Sequence, residues 1–158
     1  MGFALSDMQL ASSAFGQGEA IPRKHSGEGD DVSPALSWHG APNETRSFVL
    51  ICHDPDAPLV ANRTYGFTHW LLYNIPGSVT ELPEGTGDYT SGQNNFDKQG
   101  YGGPMPPNGH GTHHYFFWLL ALDNEPELPA GLDLPALLDR IEPNVIAMNR
   151  LVGTYQRD

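Results

Sequence analysis

Basic residues are scarce in this chain: 8 Lys and Arg stand against 19 Asp and Glu, a formal net charge of −11 over 158 residues. Such a surface repels a phosphate backbone and offers no basic stripe to hold one, which excludes nucleic acid as a partner. The same sign argues against electrostatic docking on an anionic membrane. Cysteine is nearly absent, and Cys52 alone cannot form an intramolecular bridge. No apolar run approaches the ~20 residues needed to span a bilayer. The opening Met-Gly-Phe-Ala-Leu-Ser lacks the basic and apolar regions of an export signal. These absences predict a soluble, cytoplasmic chain with no stable membrane insertion. With no repeat or linker to divide it, residues 1–158 read as a single domain.

Glycine and proline are abundant, at 18 and 14 residues, and they favour turns and strands over long helices. Ser47 to His53 and Phe67 to Ile75 are short apolar runs, rich in aromatic and β-branched residues and bounded by turn formers, so both read as strands. Phe116 to Leu122 reads as a third, and the segment around Leu36-Ser37-Trp38 as an earlier one. Pro76 to Gly100 is polar and Gly-rich, which suits a surface excursion. Asp133-Leu134-Pro135 opens a helix carrying Leu137, Leu138 and Ile141, and the spacing of Val145, Ile146, Met148 and Leu151 predicts a second helix over Asn144 to Leu151. The fold class is mainly β, a sandwich or barrel with short appended helices.

Chemistry concentrates in two places. Asp54-Pro55-Asp56-Ala57-Pro58 follows the first strong strand, and Tyr101 to Tyr115 is a Gly- and Pro-rich stretch that ends in His113-His114-Tyr115. An antiparallel hairpin of strands 47–53 and 67–75 makes Asp54 and His69 neighbours. By alternation His69 shares its face with Phe67, Leu71 and Tyr73. His113 joins them if its strand runs parallel to the one carrying His69. Two imidazoles, a carboxylate, a tyrosine hydroxyl and glycine amides suit a small anion, with the carboxylate keeping a histidine protonated. His110, His113 and His114 do not form a metal set, because adjacent strand residues point to opposite faces. Cys52 lies inside an apolar strand and no Gly-x-Ser-x-Gly elbow occurs, so no nucleophile stands out.

In order and spacing, Asp54-Pro55-Asp56-Ala57-Pro58, His69-Trp70 and Gly102-Gly103-Pro104 through His113-His114-Tyr115 resemble the signature blocks of the phosphatidylethanolamine-binding proteins, also called Raf kinase inhibitor proteins. Val32 to Trp38, Tyr73-Asn74-Ile75-Pro76 and Leu151 to Tyr155 extend the resemblance, which is strongest to the bacterial and archaeal branch. It implies two antiparallel sheets in Greek-key order with short peripheral and C-terminal helices. It also implies an anion pocket lined by Asp54, Asp56, His69, Gly103, Pro104, His113 and Tyr115. The implied ligands are phosphate-like or carboxylate groups, including phospholipid headgroups. Kinase or protease inhibition and homodimers are further implications, without a cofactor, a metal or an established enzymatic activity. A hydrolase using the His/Asp cluster, or an interaction module with a vestigial pocket, are the rival readings. The resemblance and the turn together imply a cis bond before Pro58. His114 stands where the family usually has Arg.

Overall fold

The computed structural model describes residues 5–58 and 65–158. Eight strands and one α-helix follow in the order β1 (Gln9–Ala11), β2 (Leu36–His39), β3 (Ser47–Asp54), β4 (Phe67–Pro76), β5 (Glu81–Leu82), β6 (Thr90–Ser91), β7 (His113–Leu122), α1 (Leu134–Ile141) and β8 (Val145–Tyr155). They form a five-stranded sheet, β6-β4-β3-β7-β8, and a three-stranded one, β1-β2-β5, with every neighbouring pair antiparallel. The fold is therefore mainly β, as the strand-like runs predict.

The apolar runs of β3 and β7 lack clean alternation because both faces of the large sheet are covered. On one face Phe48, Leu50, Cys52, Trp70, Leu72, Phe117 and Leu119 share a core with Leu10, Leu36, Trp38 and Leu82 of the small sheet. On the other, Val49, Ile51, Leu71, Tyr73 and Leu120 meet Leu137 and Ile141 of α1. Asp133 caps that helix, its carboxylate accepting the Ala136 N–H at 2.9 Å.

Two local expectations fail. Asn144 to Leu151 is not a second helix: β8 occupies Val145–Tyr155 and pairs along β7 from His113↔Tyr155 to Leu122↔Val145. Val145, Ala147, Leu151 and Gly153 are its buried positions, so period-2 burial against β7 overrides a helical spacing. Among the described residues no peptide bond is cis, so the bond before Pro58 is trans. That turn is closed instead by Asp54, whose Oδ1 accepts the Asp56 N–H at 2.7 Å.

Candidate functional site

β4 and β7 both run antiparallel to the β3 strand between them, so they run parallel to each other. The end of β3 and the starts of β4 and β7 therefore meet at one edge of the sheet. Asp54 continues the inner face of Phe48, Leu50 and Cys52, and His113 and Tyr115 continue that of Phe117 and Leu119. These three polar residues take over where the small sheet no longer covers the large one.

His69 reaches the same place by a different device. Cys52 pairs with Trp70 but His53 pairs with Thr68, so one step along β3 spans two along β4 and His69 is the extra residue of a β-bulge. Strict alternation would put it with Leu71 and Tyr73, on the α1 side. The bulge turns it toward Tyr115, with ring centroids 5.1 Å apart. Its backbone is satisfied outside the ladder, the His69 carbonyl accepting the Gly102 N–H at 2.9 Å. The His69 Nδ1–H in turn donates to the Gly102 carbonyl at 2.7 Å, which fixes the tautomer and leaves the lone pair on Nε2.

Asp54, His69, His113 and Tyr115 line one cavity of about 190 Å³, under a mostly apolar rim that includes Phe67, Phe96, Met105, Pro106 and Pro107. The His113 Nδ1–H donates to Asp54 Oδ2 at 2.6 Å, and both side chains are buried. His113 Nε2 lies 2.6 Å from His110 Nδ1. Tyr115 is 1 % exposed, and its hydroxyl has no hydrogen-bond partner among the described residues.

Burial governs the electrostatics. It lowers the His69 pKa to about 4, outweighing the Gly102 carbonyl that pulls the other way. Near neutral pH His69 is thus a neutral imidazole, and it is not the histidine that a carboxylate could keep protonated. Burial also raises the Asp54 carboxyl, against the pull of the bonds from His113 and the Asp56 N–H. The Tyr115 hydroxyl is raised as well, first by burial and then by the Asp54 charge. Among the described residues no Lys or Arg lines the cavity.

The remaining residues that the resemblance implies as pocket lining stand behind it. Gly103 donates its N–H to Asp31 Oδ1 at 2.7 Å, and a Cβ there would collide with the His25 carbonyl oxygen. The Pro104 carbonyl accepts the Gly27 N–H at 2.9 Å. Gly102 to Pro104 is thus a strap that holds His69 from behind. The exposed Asp56 accepts both the backbone N–H and the Nδ1–H of His114 through Oδ2, at 2.8 and 2.7 Å. His114 accordingly faces away from the cavity, as alternation predicts. Alternation puts Phe67 on the face of His69, and its ring lies 4.8 Å away; Phe96, at 5.5 Å, was missed. His110 was weighed only as a metal ligand; its signal was a histidine between two glycines three residues before His113. Among the described residues no cluster of three or more His, Cys, Asp or Glu could hold a metal ion. A larger cavity, of about 490 Å³, opens at the opposite end of β3 beside Ser47, with Glu125 and Glu127 but no histidine.

A family model described as phosphatidylethanolamine-binding protein matches residues 11–156. The chain belongs to the phosphatidylethanolamine-binding protein family. Within this family it is 40% identical over 159 residues to a UPF0098 protein of Aquifex aeolicus, covering 96% of this chain and 90% of that one. The crystal structure of the Chlamydia trachomatis phosphatidylethanolamine-binding protein homologue CT736 superposes with a TM-score of 0.89 at 38% identity, covering 96% of this chain and 98% of that one. For Escherichia coli YbcL, described as a new member of the mammalian family, the TM-score is 0.87 at 31% identity, with 97% and 100% covered. These likenesses place the chain in the bacterial and archaeal branch of the phosphatidylethanolamine-binding proteins. Among the described residues no helix is long and apolar enough to cross a membrane.

Proposed function

We propose that the cavity binds one small phosphate-like group, such as a phosphate monoester, at the end of a less polar ligand, and that it takes that group as the monoanion, with one proton retained. The observation that carries this reading is the hydroxyl of Tyr115, a residue that lines the cavity, buried with no hydrogen-bond partner among the described residues. A buried hydroxyl left unsatisfied costs about 1–3 kcal/mol, which a ligand oxygen recovers by accepting its proton. His69 Nε2 beside it carries a lone pair at neutral pH and so asks for a donor. A monoanion with one remaining O–H supplies both acceptor and donor. A dianion does not, and it would also face the Asp54 carboxyl. The apolar rim of Phe67, Phe96 and Met105 suits the uncharged part of such a ligand.

The chemistry of the lining supports binding rather than turnover. Among the described residues it includes no Ser, Thr or Cys, and burial pushes the nearby Cys52 thiol well up, which leaves no activated nucleophile among them. Calorimetric titration with methyl phosphate from pH 5 to 8, in two buffers of different ionisation heat, tests the proposal. The second pKa of a phosphate monoester is about 6. Affinity is therefore expected to fall as pH rises through that range, with up to one proton taken up per ligand at the alkaline end. No binding, or a constant affinity without proton uptake, overturns it.

A further inference from the structure

Building on the anion-binding reading of this cavity, we propose that His110 is a displaceable cap on His113, occupying the hydrogen-bonding position that an incoming anion must take. His113 has two ring nitrogens, and Nδ1 is committed to Asp54 Oδ2 at 2.6 Å. Only Nε2 remains to meet a ligand. That nitrogen is already engaged, 2.6 Å from His110 Nδ1, with the two ring centroids 4.8 Å apart. A hydrogen bond between two nitrogens holds a single proton, donated by one ring and accepted by the other. Nδ1 already carries the proton given to Asp54, so an anion accepting from Nε2 requires a second proton on the His113 ring, and His110 either takes that proton into its own hydrogen bond or presents its own N–H in the same space. The cap and an anion on Nε2 exclude one another.

The chain around His110 is built to let it leave. His110 itself is exposed. It stands between Gly109 and Gly111, at φ values of 72° and 96°, in the left-handed region that glycine enters without strain. A Cβ at either glycine would meet nothing within 4 Å, so both flanks are open; the His110 N–H donates to the Pro107 carbonyl at 3.1 Å, which holds its backbone and leaves the side chain to move. The ends of the loop are held, by contrast. Gly109 N–H donates to the Arg157 carbonyl at 3.0 Å, and the Thr112 hydroxyl donates to Gln156 Oε1 at 2.7 Å. His110 can thus swing while its anchors stay fixed, uncovering His113 without unfolding the edge of β7. Met105, Pro106 and Pro107, which precede the loop, belong to the cavity rim, so the movement widens the mouth on that side.

Titrating inorganic phosphate into the wild-type protein and His110→Ala at pH 6, by calorimetry and by 15N NMR of the histidine rings, tests this. The substitution removes a competitor whose hydrogen bond has the modest net worth typical of such bonds, so His110→Ala is expected to bind phosphate about three- to tenfold more tightly. In the wild type, saturation with phosphate should move the His110 Nδ1 resonance to the position of a solvent-exposed imidazole while His113 keeps its bond to Asp54. Equal affinities, or an unmoved His110 resonance at saturation, overturn the cap and leave the pocket reading standing. Weaker binding by His110→Ala also overturns it, because His110 would then be a ligand contact. Absence of phosphate binding to both proteins overturns the pocket reading and the cap together.

Discussion

The Tyr115→Phe substitution separates stability from binding with a single oxygen atom. Tyr115 is among the large side chains that are fully buried, and its ring packs beside both His69 and His113. Phenylalanine fills the same space, so no packing is lost. What disappears is a buried hydroxyl with no partner among the described residues, a group whose burial costs about 1–3 kcal/mol. The ligand-free variant should be the more stable protein by that amount. At roughly 2–4 °C per kcal/mol for a chain of this size, its melting temperature should rise by about 2–12 °C. Binding should move the opposite way, because a hydrogen bond to a charged oxygen contributes about 1.5–3 kcal/mol, equivalent to ten- to hundredfold in affinity. With phosphate at one hundred times the wild-type dissociation constant, ligand stabilisation should shrink from about 2.7 kcal/mol in the wild type to at most about 1.4 kcal/mol in the variant. Differential scanning fluorimetry with and without methyl phosphate reads both effects. A ligand-free variant that melts at or below the wild-type temperature would refute the claim that this hydroxyl awaits a ligand.

Three further outcomes are expected. The His69 pKa is about 4 in the folded protein against about 6.5 in an unfolded chain, so the unfolded state binds more protons between those values. Stability should then fall on acidification through that window by about 1.4 kcal/mol per pH unit, and urea midpoints of His69→Phe should lack this slope; parallel slopes in both proteins would count against a buried neutral imidazole. Gly103→Ala forces a Cβ into the His25 carbonyl oxygen and should cost about 1–3 kcal/mol in chemical denaturation, whereas an unchanged midpoint would deny the close approach. His114→Ala removes only an exposed pair with Asp56 and should cost less than about 1 kcal/mol while leaving phosphate affinity within about twofold of wild type; a tenfold loss would put His114 in the site.

The strands that frame the site were legible because their signal is strong and local. β3, β4 and β7 are apolar runs buried on both faces and bounded by Pro and Gly, and little besides a strand fits such a segment. α1 was legible from its cap and spacing. β8 was not, since Val145, Ile146, Met148 and Leu151 satisfy a helical spacing and the strand exists through pairing with β7, a contact that no local window contains. The same distinction divides the candidate site. Asp54, His113 and Tyr115 follow from alternation along their own strands. The face of His69 does not, because a bulge is a mismatch between two strands and neither sequence carries it alone. Gly103, Pro104 and Asp56 were read at the cavity because motif spacing shows which residues come near each other but not which stand in front. His110 was passed over because its partner is fixed by the fold of a loop.

The bulge at His69 bears on how this site can be gained or lost. Cys52 pairs with Trp70 and His53 with Thr68 on either side of a residue that the ladder does not need. Deleting that one codon would bring Thr68 next to Trp70 and close the ladder at this point, with both residues keeping their partners and their faces. The hydrophobic core would register almost nothing, while the cavity would lose an imidazole and the Gly102 strap its anchor. In this sheet a single-residue change in length, rather than any substitution, is the shortest path between a ligand-holding protein and a silent one with the same architecture.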